Sequence, residues 1–178
     1  MSARYSYTRF LPSHSLLFAP DRFDRDLVRD FLFAFSRAEY ALKWAGFVRG
    51  GRWGELKIEW SRFAEDIAPQ LSASSDDQVS KARQYLTENP PKREALSASG
   101  LKWQRRVRRA DQSDAQFLIE SVTQVRNNLF HGGKELMGLL AERDRQLVDS
   151  ALTMVVFAVS VHGRVAAIFQ EAGPSVAA

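Results

Sequence analysis

Arg126, Asn127 and His131 lie within one short stretch, closely followed by Gly132, Gly133 and Lys134. A guanidinium binds phosphate oxygens through two parallel hydrogen bonds, and an imidazole moves protons near neutral pH. The chain holds three histidines and no cysteine, so a thiolate nucleophile and a thiolate zinc site are excluded. No clustered spacing of other metal ligands appears, and no cofactor is expected. The chemistry these residues suit is holding and processing a phosphate, and on RNA the simplest such reaction without a metal is internal transesterification. The ribose 2′-oxygen attacks the adjacent phosphorus, the bond to the 5′-oxygen breaks, and a 2′,3′-cyclic phosphate and a 5′-OH leave. His131 would act as base or acid and Arg126 would stabilise the charge gathering on phosphorus. Asn127 would bind substrate or hold His131, and Lys134 would contact the backbone. A bland reading stands beside this one: cations near a helix C-terminus favour the dipole, and a glycine pair is a common stop.

The element that must position these residues is a helix over 114–130. Leu118, Val122, Val125 and Leu129 recur at the spacing of one helical face. Ser113 with Gln116 forms a capping-box start, and Gly132-Gly133 supplies a left-handed end. At about 100° per residue, Arg126 and His131 in an unbroken helix would point roughly 140° apart. His131 is therefore expected at or past the last turn, where the glycines let the chain bend the imidazole back towards the guanidinium.

The run Arg126-Asn127-Asn128-Leu129-Phe130-His131 resembles the signature of the HEPN superfamily, in which an arginine and a following polar residue precede a histidine in a helical domain. The resemblance implies an all-α bundle and, for many members, a metal-independent ribonuclease of toxin–antitoxin, CRISPR or other defence systems; other members are degenerate and only bind. On this resemblance Arg126 and His131 match the catalytic pair and Asn127 the polar position. Some toxin members carry a tyrosine two residues after the histidine, where this chain has Gly133, which argues against control by tyrosine modification here. The resemblance also implies a homodimer with a composite site. Acid–base cleavage profits from two proton-transfer groups, and a second copy would supply the second histidine, because His14 in the N-terminal arm and His162 in a packed helix read as structural. An inhibitory partner protein is a further implication. The alternatives are a non-catalytic HEPN-like module that binds RNA, a nucleotide or another protein, and a helical adaptor with no nucleic-acid role.

From Asp24, a candidate N-cap, Leu27, Val28, Phe31, Leu32, Phe35, Ala38 and Leu42 mark an amphipathic helix to about Gly46. Glu39 falls inside its apolar arc, and Arg126 falls inside the arc of the later helix. Charges so placed need partners, because an unpaired buried ion costs several kcal/mol or more. Glu39 either pairs with Arg126 across the two helices and orients it, or makes an i,i+4 pair with Lys43.

Further along, Gly50, Gly51 and Gly54 mark a loop. A helix with Leu56, Trp60, Phe63, Ala64 and Ile67 is expected to stop at Pro69, and a shorter one carries Val79, Ala82 and Leu86. Between Pro90 and Asp111 the chain reads as an irregular basic connection with Lys92, Arg93, Lys102, Arg105, Arg106, Arg108 and Arg109 around Trp103. Clustered cations grip phosphates and an indole stacks on an unpaired base, so Lys102, Trp103, Arg105, Arg106, Arg108 and Arg109 are candidate RNA contacts. The competing reading is a solvated charge run anchored by Trp103. The last helix is expected over 142–169, apolar nearly all round from Ala151 to Val161 and hence central or shared with a partner; that run is too short to cross a bilayer.

With 45% hydrophobic residues in 178, the chain can fill the core of one domain. Residues 1–23 read as an arm and 173–178 as a flexible tail. The net charge of +4 leans towards anionic partners. The absence of cysteine and of a signal-like N-terminus points to the cytoplasm. Together these readings predict an all-α bundle of about five helices, HEPN-like, with no strands.

Overall fold

The computed structural model describes residues 25–98, 100–130 and 142–171. Among these residues six helices and two small antiparallel hairpins follow one another. They are α1 (Arg25–Trp44), β1 (Val48–Gly50), β2 (Leu56–Ile58), α2 (Trp60–Ala73), α3 (Asp77–Glu88), β3 (Arg93–Ser97), β4 (Gly100–Gln104), α4 (Asp114–Phe130), α5 (Glu142–Ser160) and α6 (Gly163–Gln170). The arm and the tail named above lie outside the described residues.

The core forms where the helical stripes meet. Phe31, Phe35, Ala38 and Leu42 of α1, Phe63 and Ile67 of α2, Leu86 of α3, Leu118 and Val122 of α4, and Met154 and Val155 of α5 are buried in one cluster. Each large apolar side chain there stabilises the fold by about 1.5–3 kcal/mol relative to exposure. The central element is α5, which packs against all five other helices. Its near-continuous apolar surface is therefore used within the chain, with Val156 the most exposed of its apolar residues.

The helices begin and end for local reasons. Asp76 Oδ1 accepts from the backbone of Gln78 at 2.8 Å and Val79 at 3.0 Å, capping α3. The capping box of α4 is present in both directions: Gln116 N donates to Ser113 Oγ at 3.2 Å and Ser113 N to Gln116 Oε1 at 3.1 Å. Such a box satisfies donors that a helix start otherwise leaves without partners.

Four expectations need correction. First, strands are present. β1, in the segment read as a glycine loop, pairs with β2, which takes in Leu56, read as helical, and the turn between them passes through Gly54 at φ +81°, a conformation that favours glycine. Second, the basic connection is not irregular throughout, because β3 and β4 pair from Arg93↔Gln104 to Ser97↔Gly100. Gly100 turns this hairpin at φ +107°, a value that L side chains rarely adopt. Both its strands are largely exposed, so the contrast between buried and solvated faces that betrays a strand is missing. Third, α2 passes through Pro69 to Ala73. The missing backbone donor costs about 3 kcal/mol in a helix interior, but burying Leu71 returns a similar amount, and Arg83 of α3 donates to the Leu71 carbonyl at 3.2 Å. Fourth, the last helix is two. The chain bends by 110° between α5 and α6, where His162 Nδ1 accepts from Val165 N at 3.2 Å and caps α6. His162 also packs against Phe47 and Phe63, consistent with a structural role. Among the described residues no single helix is long and apolar enough to cross a membrane.

Candidate functional site

Arg126 sits in the last turns of α4, whose buried face, including Leu118, Val122 and Val125, seats it against the core. Its guanidinium lies between two rings, 5.6 Å from the Phe35 centroid and 4.7 Å from that of Phe130. Arg126 Nη1 donates to Asn127 Oδ1 at 3.1 Å. Arg126 Nη2 stands 3.9 Å from Glu39 Oε2, with the two side chains 29% and 27% exposed. The structure thus brings together Glu39, Arg126 and Asn127. The pair is half-buried rather than buried, and the ion pair is long, so Glu39 orients the guanidinium while leaving much of its charge uncompensated. Phe130, 60% exposed, covers one face of the cation. Sequence reasoning had placed Phe35 in the core and gave Phe130 no role; an aromatic one turn beyond an arginine was the available signal. His131 and Lys134 lie outside the described residues.

The basic segment divides into two groups. Arg106 lies against α4: it is paired with Glu120, donates to Ser121 Oγ at 3.0 Å, and sits 4.8 Å from the Phe117 ring. Burial lowers its pKa from the ordinary arginine value, opposed chiefly by the Glu120 charge; it remains a cation at neutral pH. Arg109 reaches Glu120 at 3.3 Å and Asp111 at 3.7 Å. Arg108 pairs with Asp114 and donates to the Gln112 carbonyl at 2.9 Å. These three arginines fasten the segment to the start and middle of α4.

The other cations are free of such ties. Arg93 donates to Gln104 Oε1 at 3.1 Å. Lys92, Lys102 and Arg105 are exposed, and among the described residues their side chains have no hydrogen-bonding or carboxylate partner. Trp103, 37% exposed, shares a face of the hairpin with Leu96 and Leu101, which are opposite each other across the strands and 83% and 77% exposed.

A cleft of about 220 Å³ opens between Glu88, Asn89, Pro90, Lys92, Arg105 and Arg143. It adjoins the motif helix, because Asn128 Nδ2 donates to the Lys92 carbonyl at 2.8 Å. A larger hollow of about 360 Å³ lies between α3 and the start of α4, lined by Arg83, Glu88, Arg108 and Asp114 among others. Among the described residues no group of three His, Asp or Glu side chains is placed to hold a metal ion.

In comparisons with protein-family models, curated proteins and solved structures, the chain has no match in any of the three.

Proposed function

We propose that this protein is a HEPN-like, metal-independent endoribonuclease, with Arg126 and His131 as its catalytic pair at a composite site in a homodimer and a role in a defence or toxin–antitoxin system. The observation that carries this reading is the state of Arg126. Its guanidinium is steered by Glu39, Phe35 and Phe130, touches Asn127, and keeps a half-buried, incompletely neutralised charge five positions before His131 in the chain. Arg106, by contrast, is paired directly with Glu120, and Arg37 and Arg83 are tied to backbone carbonyls, whereas among the described residues Arg126 donates only to the neighbouring Asn127.

In the reaction, a phosphodiester oxygen displaces solvent from Arg126. His131 of one subunit takes the proton of the 2′-OH as its oxygen bonds to phosphorus. His131 of the other copy gives a proton to the departing 5′-oxygen as the P–O5′ bond breaks. Arg126 stabilises the added negative charge on the phosphorane, where a single well-placed donor is worth about 10²–10³ in rate. Asn127 holds Arg126 or the substrate.

The test is cleavage of a labelled mixed-sequence RNA in EDTA with analysis of the product ends. The wild type should leave cyclic phosphate and 5′-OH ends, and a folded His131→Ala dimer should leave the RNA intact. Equal cutting by wild type and variant would remove His131 from the chemistry. A folded dimeric wild type that binds RNA without cutting it would turn the reading towards a non-catalytic HEPN-like RNA-binding module.

A further inference from the structure

The cleft beside Asn128 has no place in the chemistry of Arg126, yet its composition is that of an anion site. Its lining offers Lys92, Arg105 and Arg143 against one carboxylate, Glu88. Glu88 is engaged within its own helix, accepting from Gln84 Nε2 at 2.9 Å. Arg143 is anchored: it donates to the Pro90 carbonyl at 3.1 Å and stands 3.6 Å from Asp144 Oδ1, and its own carbonyl accepts from Tyr85 Oη at 3.1 Å. That leaves Lys92 and Arg105, both without side-chain partners among the described residues, converging on one concavity. Two uncompensated cations in a cleft focus the field there and favour an anion.

The cleft is also tied to the motif. Asn128 holds the Lys92 backbone at 2.8 Å, while Asn128 and Arg126, two positions apart on α4, project about 200° from each other. Arg126 faces Phe35 and Glu39 of α1; the cleft lies on the other flank of the same helix end. Arg105 follows directly on β4, whose Lys102 is equally unengaged among the described residues but lies outside the cleft lining. A polyanion that leaves the cleft can meet that further free cation on the hairpin, which a single small anion cannot.

We propose that the cleft between Lys92, Arg105 and Arg143 is a backbone subsite for single-stranded RNA, holding a phosphodiester removed from the one at Arg126. Lys92 and Arg105 grip the phosphate, Arg143 shapes the wall, and the subsite sets the register in which the strand reaches the motif. The proposal rests on the ribonuclease reading for the register, but the binding itself can be measured without cleavage.

The experiment titrates full-length protein with a fluorescent 2′-O-methyl RNA twelve-mer, which lacks the attacking hydroxyl, at several salt concentrations. It compares the wild type with Lys92→Ala/Arg105→Ala and with Arg49→Ala, a charge removed from the other hairpin. The double variant removes no side-chain hydrogen bond or ion pair among the described residues and should keep its melting temperature. It should bind about tenfold more weakly at low salt, with the slope of log K against log salt reduced by about 0.7, the contribution of one phosphate contact on a single strand. Arg49→Ala should match the wild type. Unchanged affinity and slope in the double variant would overturn the proposal. So would a double variant that loses binding of inorganic phosphate yet keeps wild-type RNA affinity, since the cleft would then serve a free anion. If the double variant loses RNA while the wild type never cuts natural RNA, the subsite stands and the nuclease reading alone falls.

Discussion

Arg106 packs onto α4 and Arg126 projects from it, and each guanidinium lies over a phenylalanine ring. Arg106, 12% exposed, meets Glu120 directly and donates to Ser121 as well. Arg126, 29% exposed, keeps its nearest carboxylate at 3.9 Å. The first arrangement neutralises a charge so that the segment after β4 can lie on the bundle. The second orients a charge and leaves it available. The difference lies in the carboxylates: Glu120 is carried by the helix that Arg106 packs on, whereas Glu39 reaches Arg126 from another helix and stops short of full contact.

The largest effect expected from this contrast is on turnover. Arg126→Ala should lower the cleavage rate by about 10²–10³ at a cost of about 1–2 kcal/mol in stability, from a half-exposed ion pair worth below about 1 kcal/mol and contacts with the Phe35 and Phe130 rings; a rate-and-melting pair of assays checks both halves. Next comes stability at the other arginine. Glu120→Ala leaves Arg106 largely buried without its counter-charge and should cost about 2–3 kcal/mol, or roughly 4–12 °C in Tm for a chain of this size, as read by thermal unfolding. A smaller effect is expected at the positioning carboxylate. Glu39→Gln should lower kcat about tenfold at constant KM by loosening Arg126, with Glu39→Asp restoring part of the loss; a change in KM alone would contradict a positioning role. The smallest is Ser113→Ala, which removes half of the capping box at the start of α4. It should cost about 1 kcal/mol and leave the rate per folded molecule unchanged.

Much of the scaffold was legible because helical periodicity is repeated over many residues. The stripe from Leu27 to Leu42 and the Ser113–Gln116 box announced α1 and α4 nearly to their ends. Hairpins of three and five residues with exposed strands offered no such repetition. Pro69 misled because the decision to continue α2 is made by Leu71 and Arg83, which lie downstream of it. At the site, two charges set in apolar arcs left Glu39 to pair with either Arg126 or Lys43, and the structure brings it to 3.9 Å from Arg126. The pairing of Arg106, Arg108 and Arg109 with Glu120, Asp111 and Asp114 did not, because a run of cations looks the same whether it faces RNA or its own helix. The mostly helical architecture with two small antiparallel hairpins sets that distinction, and of the cations between Pro90 and Asp111 Lys92, Lys102 and Arg105 have no side-chain hydrogen bond or ion pair among the described residues.

The most direct test of the central claim sets the two arginine environments against each other in one experiment. Arg126→Ala and Glu120→Ala would be compared with the wild type in single-turnover cleavage of one labelled RNA, in EDTA, at saturating protein and with the rate divided by the folded fraction. Arg126→Ala should melt within a few degrees of the wild type and lose at least about 10² in rate per folded molecule, while Glu120→Ala should melt earlier than either and cut at the wild-type rate per folded molecule. A wild-type rate in folded Arg126→Ala would contradict the role given to Arg126.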